Sequence, residues 1–158
     1  MTEPCREQVA VAFSARIETL GQGASPAITG LTVERERSDP VTPDDMPLIA
    51  VYDGDQVPAP NFAGEDGWDL SLVVQGLATG ATALEARQAA NRIEAHVLKV
   101  VMDPAGDPTM GIGIRDIQPE AEPRPLALVP DGDAPSAAFS LAFTVSYATA
   151  EGDPFNFA

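Results

Sequence analysis

The side chains that could do chemistry are few: one histidine, His96, one cysteine, Cys5, and four short acidic clusters, Asp44-Asp45, Asp53-Gly54-Asp55, Glu65-Asp66 and Asp131-Gly132-Asp133. Nucleophilic catalysis needs a base within hydrogen-bond reach of a serine, threonine or cysteine. His96 lies mid-way along a helical pattern, one turn from Arg92 and from Lys99, and reads as a border-of-core histidine rather than that base. A lone cysteine cannot close an internal disulfide or supply a Cys-based metal motif, and it fits a reducing compartment. A calcium loop of the EF-hand kind needs oxygen ligands at its first, third and fifth positions. After Asp53 and Asp55 the fifth position is Val57, and after Asp131 and Asp133 it is Pro135, so the Asp-Gly-Asp clusters read as turns. Trp68 and two tyrosines are too few to build the aromatic platforms of a glycosidase groove. Gly21-Gln22-Gly23 and Gly111-Ile112-Gly113 lack the third glycine of a dinucleotide fingerprint and the lysine of a phosphate loop. No catalytic residue, metal ligand or cofactor site is therefore expected, and the chain reads as a protein that works by assembly rather than as an enzyme.

The elements that carry these residues can be read from periodicity. Residues 3–20 predict a helix with Thr2 as its cap and Val9, Phe13, Ile17 and Leu20 on one side, stopped by Gly21 and Gly23. From Leu31 to Arg37, Thr32, Glu34 and Glu36 alternate with Leu31, Val33, Arg35 and Arg37, which predicts a strand whose far end is wet on both faces, as suits a strand leaving the sheet edge. Leu48 to Tyr52 predicts a short strand closed by an Asp53-Gly54-Asp55 turn. A long loop to Gly67 follows, and then a strand from Trp68 to Leu77 with Leu70, Leu72 and Val74 on one face. Thr82-Ala83-Leu84-Glu85 is a capping box that opens a helix over 83–102, ended by Asp103-Pro104. Ala86, Ala89, Ala90, Ile93, Val97, Val100 and Val101 share one arc of that helix and face a sheet. Met110, Ile112 and Ile114 predict a further strand, Leu126 to Val129 a short one, and Phe139, Leu141, Phe143, Val145 and Tyr147 the best one. The opposite face of that last strand is all small: Ala138, Ser140, Ala142, Thr144, Ser146 and Ala148. A tail, 151–158, carries Phe155 and Phe157 with no evident place in the core. The fold expected is α+β: a mostly antiparallel sheet packed by an N-terminal helix and one long central helix, in a single domain spanning 1–158.

Twenty-four acidic residues oppose nine basic ones, for a net charge of −15. Nucleic acid is gripped by clustered Lys and Arg that displace counterions from phosphates, so this balance disfavours DNA binding. The same field opposes an anionic membrane surface, and no run approaches the ~18 apolar residues of a membrane span. The acidic N-terminus does not look like a secretory signal, which is basic and then apolar.

The order of elements resembles the tail terminator, or tail completion, proteins of long-tailed phages and gene-transfer-agent-like particles. The residues that carry the resemblance are Val33-Glu34-Arg35-Glu36-Arg37, Pro47-Leu48-Ile49-Ala50-Val51-Tyr52, the capped helix 83–102, and Thr144-Val145-Ser146-Tyr147 followed by Gly152-Asp153-Pro154. The resemblance implies a structural virion protein, assembled in the host cytoplasm and carried in the virion tail. Six copies would form a ring on the end of the tail tube, stop its growth, and meet the head-tail connector protein. DNA would pass through the ring without being bound, and an acidic lumen would keep that path free of adhesion. The alternatives are another neck or baseplate ring component, such as a head-tail stopper or adaptor, and, from other classes, an acidic DNA mimic or a carboxylate- or metal-dependent hydrolase. The contacts expected under this resemblance lie in 53–68 and 151–158, with Asp53, Asp55, Phe62, Trp68, Tyr147, Asp153, Pro154, Phe155 and Phe157 as the named candidates.

Overall fold

The computed structural model describes residues 3–103, 105–122 and 124–158. Helix α1 spans Cys5–Glu18 and is followed by a single 3-10 turn, Thr19–Gly21. Thr2 lies outside the described residues, and Pro4 stands at the N-cap without a side-chain hydrogen bond. Strands β1 (Thr32–Arg35), β2 (Leu48–Ala59) and β3 (Glu65–Thr79) precede helix α2 (Ala83–Val101), and β4 (Ile114–Pro119), β5 (Ser136–Ala150) and β6 (Asp153–Phe157) follow it. The six strands form one sheet in the order β1-β2-β3-β5-β4, with β6 also on β5. Every pairing is antiparallel except that of β1 with β2, where Val33 lies beside Ile49 and Arg35 beside Val51. This is the α+β architecture expected from the sequence.

Period-two alternation divides the strands between two faces. Ile49, Val51, Leu70, Leu72, Val74, Phe139, Phe143, Val145 and Tyr147 face the two helices and join Val9, Phe13, Ile17, Ile93 and Val97 in the main core. Phe13 and Phe143 meet with ring centroids 5.6 Å apart. Ala86 and Ala90, fully buried, allow α2 to lie close on the sheet. Gly76, opposite Phe139 in the β3–β5 register, leaves the room that ring occupies: a Cβ there would come within 2.1 Å of it. Thr82 caps α2 by accepting from the Glu85 amide at 3.2 Å, while the Glu85 carboxylate reaches one residue further back than a standard capping box, to the Ala81 amide at 3.0 Å.

The second face is covered differently. Val41, Leu48, Ala50, Leu77 and Leu128 form a smaller cluster beneath a strap of two segments, residues 41–47, which include a 3-10 turn at Pro43–Asp45, and the extended 124–130, tied to each other by the Val41 amide to Val129 and the Asp131 amide to Val41. The segment expected as a strand at 126–129 does not form one: the Gln75 side chain meets its Ala127 and Leu128 amides, and its end pairs with another segment through a single isolated bridge, Val41 with Pro130. The strand expected from Met110 also starts later, at Ile114. Met110 and Gly111 both have positive φ, and the Asp107 carboxylate accepts from the Thr109 and Gly111 amides, so 107–113 closes into a turn before β4 begins. Among the described residues, no helix is long and apolar enough to cross a membrane.

Candidate assembly surface

The Asp53-Gly54-Asp55 cluster is not the turn its composition suggests. β2 runs through it to Ala59, with a bulge between Asp53 and Gln56, so that most of the expected loop is instead the two arms of a long β2–β3 hairpin. An extra residue in one strand increases the local bend and re-aims the strand beyond it. Two arginines hold the bulge from the helix side. Arg6 of α1 donates to the Gly54 carbonyl at 2.8 Å, and Arg35 of β1 bridges Asp53 at 3.2 Å and Glu7 of α1 at 2.5 Å. The hydrogen bond from Arg35 holds the Glu7 carboxyl below its ordinary range. Arg37 does a similar job on the other face, pairing with Glu34 at 2.9 Å and Asp45 at 3.0 Å. The charged alternation of β1 thus serves both faces: Arg35 pins the helix side, and Glu34 with Arg37 the strap side. Asp53 is engaged within the fold, and Asp55 is exposed.

Past the bulge the hairpin projects to a tip at 60–64. Phe62 is 76% exposed there, and Val57 on the β2 arm is 51% exposed. The tip and the C-terminal turn, separated by some eighty residues of sequence, are joined: Glu65 pairs with Ala150, the Glu151 amide donates to the Gly64 carbonyl at 3.1 Å, and the Gly152 amide to Asp66 at 2.9 Å. The two segments expected to make contacts therefore converge at one end of the sheet.

The named candidates divide there. Trp68, Tyr147 and Phe157 belong to the fold. Trp68 Nε1 donates to Thr149 Oγ1 at 3.2 Å, and Tyr147 is buried with its hydroxyl donating to Gln56 at 2.9 Å. Burial pushes the Tyr147 phenol up to about 12. Phe157, expected to be exposed, instead packs edge-on against Tyr147 with centroids 6.0 Å apart. The reason is β6, which the sequence disguises with a proline: Asp153–Phe157 pairs back on β5 and carries that ring inward over Gly113, where a Cβ would come within 2.6 Å of it. Asp153 is taken up by the Asn156 side chain at 2.7 Å and the Phe155 amide at 3.0 Å, which together hold its carboxyl below the usual range. Pro154 is exposed and Phe155 is 44% exposed. Asp55, Phe62, Pro154 and Phe155 remain as outward-facing candidates.

One feature of the strap side escaped sequence reasoning. Gln75, 1% exposed, donates to the Pro125 carbonyl and accepts from the Ala127 amide, both at 2.7 Å, with the Leu128 amide at 3.3 Å. Nearby, Glu120 accepts from Ser71 at 2.7 Å, Arg124 at 2.8 Å and Thr144 at 3.3 Å. Burial alone would raise the Glu120 carboxyl, but these bonds outweigh it and hold it below its ordinary range. The signal for Gln75 was present as a lone amide within an apolar strand; the signal for Glu120 was not, since it sits among prolines. Between the strap and the β2 bulge lies a groove of about 300 Å³ lined by Tyr52, Asp55, Ser71, Arg124 and Pro125.

Among the described residues no three His, Cys, Asp or Glu side chains come together to hold a metal ion, and His96 lies half-buried on α2. Cys5 is fully buried, and burial, followed by the nearby Asp153 charge, raises its thiol above its ordinary value. No protein-family model matches the chain, and no curated protein matches it in sequence.

Proposed function

We propose that the chain is a structural subunit of a ring, six copies in the tail terminator arrangement, that caps a phage-type tail tube and joins it to the head connector. What supports this is the convergence of the hairpin tip and the C-terminal turn. Residues far apart in sequence build one projecting end, and that end presents exposed Phe62, Val57 and Phe155 beside acidic side chains. Exposed aromatic residues grouped within a polar surround are the common make-up of a protein interface. The element order that resembles the terminator family supplies the choice of assembly. An acidic bore, under the same proposal, keeps DNA from adhering as it passes.

The test is genetic and microscopic. Particles made without this chain should carry tails of uneven, over-long length that fail to join heads. Tails of normal length that merely lack heads would assign the chain to a stopper or adaptor, and normal infectious particles would refute a role in the virion.

A further inference from the structure

Positive charge is scarce in this protein, and nearly all of it is used internally. Of the nine basic residues, seven donate to a carboxylate or a backbone carbonyl: Arg6, Arg16, Arg35, Arg37, Arg87, Arg115 and Arg124. Among the described residues, Arg92 and Lys99 make no such bond, and both are exposed on α2. With His96 they fall at positions i, i+4 and i+7 of the helix, one stripe along its surface. Arg92 also lines a pocket of about 330 Å³ whose other walls include Ile28, Pro47, Ala78, Ala89 and Ile93. The result is a recess of mixed lining, with apolar walls at Ile28, Pro47 and Ile93, the threonines Thr29 and Thr79, and an unpaired cation at its rim.

The complementary surface lies at the other end of the same molecule. Ala78 and Thr79 beside the pocket end β3, whereas Glu65 at the hairpin tip begins it. Fifteen residues of strand, at about 3.3 Å each, put the two ends roughly 45 Å apart. Near the tip stand Phe62, 76% exposed, the exposed Glu151, whose amide donates to the Gly64 carbonyl, and the Asp66 carboxylate that accepts from the Gly152 amide. An aromatic ring flanked by acids matches a recess flanked by an arginine, and within one chain the two cannot meet.

We propose that the recess beside Arg92 receives Phe62 from a second copy of this chain, with the acidic tip of that copy lying along the Arg92, His96 and Lys99 stripe. The contact is head-to-tail: each copy offers one tip and one recess, an arrangement that closes into a ring when the rotation between copies allows it. The occupant is specified as a second copy because the recess calls for an apolar side chain beside negative charge, and the chain's most exposed aromatic residue has that setting. The contact gives the ring reading its subunit interface and rests on that reading for its biological setting.

The test is complementation between two surface variants of the purified chain, followed by light scattering or sedimentation across a concentration series. Wild type should associate progressively beyond the dimer. Arg92→Glu and Phe62→Ser, both at exposed positions, should each weaken self-association by about tenfold or more, as expected for residues central to a contact. An equal mixture of the two variants should form a dimer and stop there, since one sound recess and one sound tip remain. Wild type that stays monomeric throughout, variants that associate like wild type, or a mixture that forms nothing would each overturn the contact. The ring reading is decided separately, by tail length in particles lacking the chain. Uneven tails together with unaffected variants would leave the ring and remove this interface, and normal particles with a disrupted Arg92→Glu variant would do the reverse.

Discussion

Gln75→Leu should destabilise the chain by about 2–4 kcal/mol, although it exchanges a buried polar side chain for an apolar one of similar size. Gln75 makes three hydrogen bonds to the backbone of the strap, at 2.7, 2.7 and 3.3 Å. Each is worth roughly 0.5–1.5 kcal/mol net, and an amide left buried without a partner costs about 1–3 kcal/mol. Leucine at 75 returns part of that through apolar burial beside Leu128 and Leu77, about 25 cal/mol for each Å² removed from water. The loss should appear in urea titrations and as a fall in Tm of roughly 5–12 °C for a chain of this size. Amide exchange locates it: the Ala127 and Leu128 amides should lose protection first, followed by the Val41 and Asp131 amides that depend on the strap's position. Gln75→Glu gives a graded control. It retains an acceptor for the two amides but faces the Pro125 carbonyl with a carboxylate, so it should be less stable at neutral pH than when protonated. A Gln75→Leu protein within about 0.5 kcal/mol of wild type, with those amides still protected, would show that the strap is held by its apolar contacts and that the amide is incidental.

Other expectations follow from the same geometry. Gly76→Ala should destabilise by roughly 1–3 kcal/mol by pressing a methyl into the Phe139 ring, and combining it with Phe139→Leu should recover part of that loss in a double-mutant cycle read by denaturation. The Glu7 carboxyl is depressed by Arg35, so its contribution to stability is fully present above the ordinary value of 4.5 and is lost as pH falls through the folded value. Arg35→Met should flatten the acid limb of the stability profile between neutrality and pH ~3, relative to wild type. At the tail, Phe157→Ala should cost roughly 1–3 kcal/mol through its contact with Tyr147, whereas Phe155→Ser should change stability by less than about 0.5 kcal/mol while weakening assembly, as paired melting and sedimentation would show.

Much of the architecture was legible because it is written in local periodicity. The alternation of Phe139 through Tyr147, the Leu70, Leu72 and Val74 face, the α2 arc and the Thr82 cap each depend on neighbours two to four residues away, and each stands where the sequence places it. The edge position of the charged strand was legible for a related reason, since a run wet on both faces is poorly suited to the middle of a sheet. Where local chemistry was ambiguous, it misled. Asp-Gly-Asp is a turn former in isolation, but at 53–55 two arginines from α1 and β1 and the pairing with β3 hold it as a bulge in a continuing strand. Pro154 in the tail hid a strand that forms only because β5 is there to pair with it. For Phe157, exposure or burial was settled by Gly113 and Tyr147, neither of them near it in sequence.

The sequence by itself determined the fold class, the positions of both helices and the principal strands, the scarcity of nucleophile and base, and the acidic field, because composition and short-range spacing are enough to set them. Only the tertiary structure decided that the hairpin tip and the C-terminal turn form one end, that Gln75 grips a strap, and that Arg92 and Lys99 are the cations left unpaired among the described residues. Each of these is a relation between segments some fifty or more positions apart or between whole surfaces. Long-range pairing is fixed by the register of the sheet and by which polar groups must find partners once water is excluded, and no window of sequence holds both halves of such a contact.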